Sequence, residues 1–209
     1  MSNILAYLLD GKIYINLTNK CTNDCIFCLR KDKDDVCGQT LWLEDENSTA
    51  QDVIEQFMEI LKQVQNDKKE VIFCGYGEPM LKFEVLKEVA KYIKEKYPQT
   101  KIRVNTNGHA NFVYKRNLVP ELKGLVDEFS VSLNGATKDE YDYFSNPKFL
   151  QAYEETKKFI LECSTYGIPV VASVVDGYKG KRLNINECER IANSLGAKLR
   201  VREWIQNGY

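Results

Sequence analysis

No stretch of this chain is apolar for anything like the roughly 18 residues that a membrane-spanning helix needs. Its first residues, Met1-Ser-Asn-Ile-Leu-Ala-Tyr7, lack the basic-then-apolar layout of a secretory leader. A cytoplasmic protein is expected. An excess of charge is missing too: 29 Lys and Arg stand against 30 Asp and Glu. The formal charge of −1 gives no global attraction to nucleic acid or anionic lipid, so a polyanionic partner would need a local patch. Histidine occurs once, at His109. The 209 residues also fall short of the about 250 of a closed eight-unit barrel, while 44% apolar and 28% charged residues are ordinary for a soluble protein. One domain over residues 1–209 is the economical expectation.

Cysteine is not scarce, and it is unevenly spread. Three of the seven fall in Cys21-Thr-Asn-Asp-Cys25-Ile-Phe-Cys28, directly after the alternating stretch Lys12-Ile-Tyr-Ile-Asn-Leu-Thr18. Thiolates on one short loop converge on an ion or cluster with little further chain entropy to lose. A closed structural site wants four protein ligands, whereas three leave a position open. The rival is a structural zinc or redox cluster completed by Cys37. In a reducing compartment Cys74, Cys163 and Cys188 read as buried thiols acting as small apolar residues.

The remainder alternates. Ile4–Leu9, Asp10-Gly11 and the strand from Lys12 read as a short hairpin within residues 1–18, because Asp-Gly supplies the positive backbone angles of a tight turn. Leu29 to Ser48 is a polar stretch with a mixed charge run and a lone Trp42, either a flap beside the cysteines or a solvated excursion. Thr49 with Asp52 makes a capping box, after which Val53, Ile54, Phe57, Ile60, Leu61 and Val64 trace one helical face. A strand from Lys69 to Phe73 follows, then a helix through Phe83, Leu86, Val89, Ala90 and Ile93, and a strand from Lys101 to Thr106. Next come a short helix around Pro120 to Val126, the strand Glu128 to Leu133, a helix opened by Thr137 with Glu140, and a long helix near Phe149 to Tyr166. The strand Pro169 to Val175, a helix capped by Asn184 with Glu187, and the strand Lys198 to Ile205 close the series. Six strands from Lys12, separated by five crossovers, predict an α/β fold: a partial (β/α)6 barrel of parallel strands with helices outside. Function in such repeats sits on the loops at the carboxyl ends of the strands, where the cysteines fall.

Other polar motifs share that edge. In Gly75-Tyr76-Gly77-Glu78-Pro79 the glycines would let a ligand approach the backbone and Glu78 would neutralise an ammonium; alone, the segment reads as an ordinary turn. Arg103, Asn105 and Asn107 alternate onto one face of their strand, with Asn107-Gly108 also a turn signal. Ser130, Ser132 and Asn134 do the same one unit later. His109 reads as an exposed loop residue, with acid–base work the alternative. Arg200, Arg202 and Trp204 alternate on the last strand, as a contact for a substrate anion or as a charged edge.

The C-x3-C-x2-C spacing, with Phe27 before the last cysteine, resembles the signature of the radical S-adenosylmethionine (SAM) superfamily. The resemblance continues through Ile15-Asn-Leu-Thr-Asn-Lys-Cys21, Leu41-Trp-Leu43, Asn105-Thr-Asn-Gly108, Val131-Ser-Leu133 and Leu199-Arg-Val-Arg202, where the chain looks like the TatD-associated group of small radical SAM proteins. It implies a 4Fe-4S cluster on Cys21, Cys25 and Cys28, with SAM chelating the fourth iron. It implies cofactor contacts at Phe27, at Gly75, Tyr76, Gly77 and Glu78, and at Asn105, Asn107, Ser132 and Asn134. Tyr76 between the glycines departs from the common Gly-Gly-Glu form as a known variant. The implied enzyme makes a 5′-deoxyadenosyl radical that takes hydrogen from a substrate. Its implied partners are an electron donor such as flavodoxin or ferredoxin and a TatD-type hydrolase. A glycyl-radical activase shares this core, and no second cysteine cluster signals an auxiliary site.

Overall fold

The computed structural model describes residues 3–36, 38–63 and 70–205. Cys37, Val64 and Lys69 lie outside the described residues. In chain order the elements begin with β1 (Ala6–Leu9), β2 (Lys12–Ile15), β3 (Asp35–Val36), β4 (Gln39–Thr40), α1 (Ala50–Leu61), β5 (Glu70–Phe73), α2 (Phe83–Lys96) and β6 (Lys101–Thr106). They continue with α3 (Ala110–Tyr114), α4 (Val119–Leu122), β7 (Glu128–Ser132), α5 (Lys138–Ser145), α6 (Ala152–Thr165), β8 (Val170–Asp176), α7 (Ile185–Ser194) and β9 (Lys198–Glu203). The six strands expected from Lys12 onward are β2, β5, β6, β7, β8 and β9. None of the described helices is long and apolar enough to cross a membrane.

Two compact units interleave along the chain: residues 1–21, 29–105 and 121–127 give the first, and residues 22–28, 106–120 and 128–209 the second, in each case by their described residues. In the first, Asp10 (φ 50°) and Gly11 (φ 72°) turn β1 antiparallel onto β2. β2 then pairs parallel with β5, and β5 with β6. Thr49 and Asp52 close the expected capping box on α1, which buries Val53, Ile54, Phe57 and Leu61 and leaves Ile60 partly exposed. Helix α2 buries Phe83, Leu86, Val89, Ala90 and Ile93 completely. Each such side chain contributes about 1.5–3 kcal/mol relative to exposure, which is what holds the helices against a sheet.

In the second unit β7, β8 and β9 pair parallel in sequence order. The side chains of Thr137 and Asn184 accept hydrogen bonds from the Glu140 and Glu187 amides and so start α5 and α7. Phe129, Phe144 and Phe159 are buried in this unit. Helix α3 was not foreseen, because five residues are too few to show a period.

Candidate functional site

In the first unit the approach to the cysteine loop is packed against the Gly-Tyr-Gly-Glu turn. A Cβ added to Gly75 would lie 2.0 Å from Asn16 Oδ1, and one on Gly77 would lie 2.2 Å from the Thr18 carbonyl oxygen and 2.6 Å from that of Lys20. The glycines therefore admit the chain leading to Cys21. The Glu78 N–H donates to the Lys20 carbonyl at 2.8 Å, so the turn is tied to the residue just before Cys21. Glu78 is 3% exposed, and its carboxylate accepts the Met80 N–H at 3.1 Å.

The side chain of Tyr76 is committed elsewhere: its hydroxyl donates to the Lys33 carbonyl at 2.7 Å and its ring meets Trp42 edge-on at 5.2 Å. That leaves only its backbone for a cofactor contact. The described residues of 29–48 are docked at several points, although many of their side chains stay exposed. Leu41 and Leu43 are buried, Arg30 Nη1 donates to the Asn19 carbonyl, and Asn16 Nδ2 donates to the Leu41 carbonyl at 2.8 Å. Glu46 fastens the approach directly, accepting from the Asn19 N–H at 2.7 Å and the Thr18 hydroxyl at 3.1 Å, with Lys20 Nζ at 3.5 Å.

On β6, Arg103 and Asn105 share a partly buried face, as the alternation predicts. Arg103 lies 3.4 Å from Glu70, which also holds Lys12 at 2.8 Å. Burial pushes the Glu70 carboxyl up, but the Lys12 hydrogen bond and the Arg103 charge outweigh it and leave the group below its usual range. Arg103 is thus an ion-pair partner. Asn105 Oδ1 is buried and has no hydrogen-bond partner among the described residues.

In the second unit the loop from Thr22 to Cys28 is held along its length. Asn107 Nδ2 donates to Thr22 Oγ1 at 2.8 Å, and that oxygen lies 2.8 Å from His109 Nδ1. With the amide donating to it, the Thr22 hydroxyl is free to give its own proton to Nδ1, in the tautomer that satisfies every partner. This leaves the imidazole N–H at Nε2, facing the Tyr141 hydroxyl at 2.8 Å and Thr156 Oγ1 at 3.1 Å. His109 is 0% exposed, which overturns the exposed loop residue expected from sequence. Burial pulls its pKa down to about 4, so it is neutral at pH 7. Burial also pushes Tyr141 up to about 12.

Further along, the Lys148 N–H donates to the Thr22 carbonyl, the Asp24 N–H to the Ser145 carbonyl and the Ile26 N–H to the Phe144 carbonyl, each at 3.0 Å. Phe27 lies 6.0 Å, centroid to centroid, from both Phe144 and Tyr178. Both ends of the Asn107 amide are used within the chain, since its Oδ1 accepts the His109 N–H at 3.1 Å. Asn134 is 2% exposed and left-handed at φ 53°. Its Nδ2 donates to Ser145 Oγ at 3.0 Å, while its Oδ1 is buried with no partner among the described residues. Ser132 is partly buried beside it in sequence, and Ser130 accepts Arg200 Nη2 at 2.7 Å. Arg202 is exposed on β9, as a charged edge would have it. Sequence reading missed Thr22, Glu46, Tyr141 and Thr156, whose roles depend on contacts far along the chain and leave no local signal.

The thiols of Cys21, Cys25 and Cys28 are partly buried and outside any disulfide. Among the described residues no three His, Cys, Asp or Glu side chains are gathered as a single-ion site, so the case for a cluster stands on three soft thiolate donors at this spacing. Asn105 in the first unit and Asn134 in the second each have an orphaned oxygen open to a donor. Burial pushes the Cys163 thiol well up and that of Cys188 to about 11, as expected of inert cysteines. Cys74 is only partly buried, against expectation, because it sits at the carboxyl end of β5.

A probable dual-specificity RNA methyltransferase RlmN from Leptospira interrogans (serogroup Icterohaemorrhagiae, serovar copenhageni) is 24% identical over 193 residues, covering 87% of this chain and 50% of that protein. An uncharacterized protein, MJ0907, from Methanocaldococcus jannaschii is 22% identical over 130 residues, 61% of this chain and 41% of that protein. The chain spans about half the length or less of these curated relatives. The crystal structure of Streptococcus suis SuiB matches with a TM-score of 0.64 at 15% identity, over 94% of this chain and 40% of that one. Native anSMEcpe with bound AdoMet matches at 0.62 and 15% identity, over 92% and 51%. The α/β fold with its mostly parallel strands is thus that of solved structures across nearly the whole chain. A model of the radical SAM superfamily matches residues 15–195, a span that takes in the cysteine loop, the Glu78 turn, Asn105 and Asn134, and the chain belongs to that superfamily.

Proposed function

We propose that the chain is the catalytic core of a radical SAM enzyme in which Cys21, Cys25 and Cys28 hold a 4Fe-4S cluster and SAM takes the remaining iron. When bound, these groups supply one-electron cleavage of the sulfonium to a 5′-deoxyadenosyl radical, which removes a hydrogen atom from the substrate. The chain's own residues bind and orient. The observation that carries the reading is the hydrogen bond from the Glu78 N–H to the Lys20 carbonyl, which ties the backbone of the acidic glycine turn to the residue just before the first cysteine. Glu78 meets the SAM ammonium; Asn105 and Asn134 offer their orphaned oxygens to SAM hydroxyl or ammonium donors, and Ser132 adds a hydroxyl. Gly75, Gly77, Tyr76 and Phe27 shape the wall, and Asn107 acts through Thr22. The low-potential electron comes from a donor such as flavodoxin or ferredoxin. The resemblance to the TatD-associated group supports a functional link to a TatD-type hydrolase, which co-purification tests.

Cys25→Ala, reconstituted without air, is expected to lose the four-iron chromophore and all 5′-deoxyadenosine formation; a variant that kept both would end this reading. Glu78→Gln is expected to keep its iron while SAM binding weakens by about tenfold or more, as for a lost charge-assisted hydrogen bond. Unchanged SAM affinity in equilibrium binding would remove Glu78 from the site.

A further inference from the structure

We propose that Tyr178 is a positioning residue for the cysteine loop, holding the segment between Cys25 and Cys28 in the shape that accepts the cluster. The inference rests on the reading of the three cysteines as cluster ligands. Tyr178 lies 152 positions beyond Ile26, yet its hydroxyl donates to the Ile26 carbonyl at 2.9 Å. The N–H of Ile26 donates to the Phe144 carbonyl, so both backbone polar groups of the residue next to Cys25 are tied to elements outside the loop. Inside the loop the Cys28 N–H donates to the Cys25 carbonyl at 3.1 Å. The peptide groups before and after Ile26 are each held, which limits rotation of the backbone between Cys25 and Cys28 before any metal arrives.

The turn that presents Tyr178 is itself pinned. Gly177 (φ 80°), Lys179 (φ 47°) and Gly180 (φ 82°) fold it tightly, with the Gly177 N–H donating to the Lys181 carbonyl at 3.1 Å. At its base Asp176, 5% exposed, accepts the Leu183 N–H and Arg182 Nη1, each at 2.7 Å. Arg182 also reaches Glu203 at 2.9 Å, and the Trp204 N–H donates to the Asp176 carbonyl at 2.8 Å. The Trp204 ring meets Tyr178 edge-on at 5.0 Å, and the Phe27 ring meets it at 6.0 Å. A phenylalanine would fill this space equally well; only the hydroxyl reaches the carbonyl.

The test compares the full chain with Tyr178→Phe and Trp204→Leu. On metal-free protein, amide exchange is expected to rise at residues 22–28 in both variants and to stay at the wild-type level elsewhere. On the anaerobically reconstituted protein, Tyr178→Phe is expected to release iron to a chelator about fivefold faster, the effect of one lost hydrogen bond, and to alter the paramagnetic spectrum of the reduced cluster before SAM is added. Wild-type exchange at 22–28 in Tyr178→Phe, or a rise spread over the whole chain, overturns the proposal. Wild-type protein without an iron–sulfur chromophore would instead sink the ligand reading, and exchange in the metal-free chain would still decide whether Tyr178 holds the loop.

Discussion

The residues before Cys21 and those after it are fastened by different chemistry. Residues 16–20 are held by the Glu46 carboxylate and by close backbone approach to Gly75 and Gly77. Residues 22–28 are held by uncharged groups, above all the fully buried His109 with Tyr141 and Thr156. The first fastening depends on there being no side chain at two positions, the second on a proton being absent from an imidazole. A short loop that must keep three thiols in register is thereby made sensitive to bulk on one flank and to acid on the other.

Gly77→Ala is the sharpest way to break the first flank. A Cβ 2.2 Å from a backbone oxygen leaves no flexible side chain to give way, so a loss of about 3 kcal/mol or more is expected in denaturant unfolding, together with poor iron incorporation. A variant within about 1 kcal/mol of wild type would show that residues 18–20 move freely. The second flank is tested by acid. The folded pKa of His109, about 4, lies below its ordinary value of 6.5, so on acidification the unfolded chain takes the proton first. Its contribution is complete above pH 6.5, drains as the pH falls toward 4 and is flat below that, a loss of about 3 kcal/mol. His109→Gln is expected to cost about 2 kcal/mol at pH 7 and to flatten this part of the pH–stability curve; an unchanged acid slope would assign it to other groups. Glu46→Gln has the smallest expected effect, about 1 kcal/mol, because the Lys20 side chain is 77% exposed and its ion pair adds little beside the bonds to Asn19 and Thr18. A strong salt dependence of wild-type stability, lost in Glu46→Gln, would reverse that ranking.

What could be read in advance follows the range of each signal. The caps at Thr49, Thr137 and Asn184 and the hairpin at Asp10-Gly11 are local, and the structure has each of them. The stripe on α2 needs only helical period, and all five residues named from it are buried. His109 was misjudged because Asn107-Gly108 signals an exposed turn, whereas Tyr141 and Thr156, 32 and 47 positions away, cover it. Residues 29–48 were ambiguous for the same reason: a polar stretch with few apolar residues gives no period, yet Leu41, Leu43 and Glu46 suffice to dock it. The glycines of the Glu78 turn were recognised, but nothing in their neighbourhood says that residues 16–20 come close to them.

The interleaving of the two units has a consequence for how the protein matures. During synthesis His109 follows Thr22 by 87 residues, and Tyr178 follows Ile26 by 152. At about 5–20 residues per second, the loop waits roughly 8–30 seconds for its last tether while the nascent polypeptide lengthens. On the proposed reading of the cysteines, iron delivered in that interval would meet a ligand set still without its late tethers.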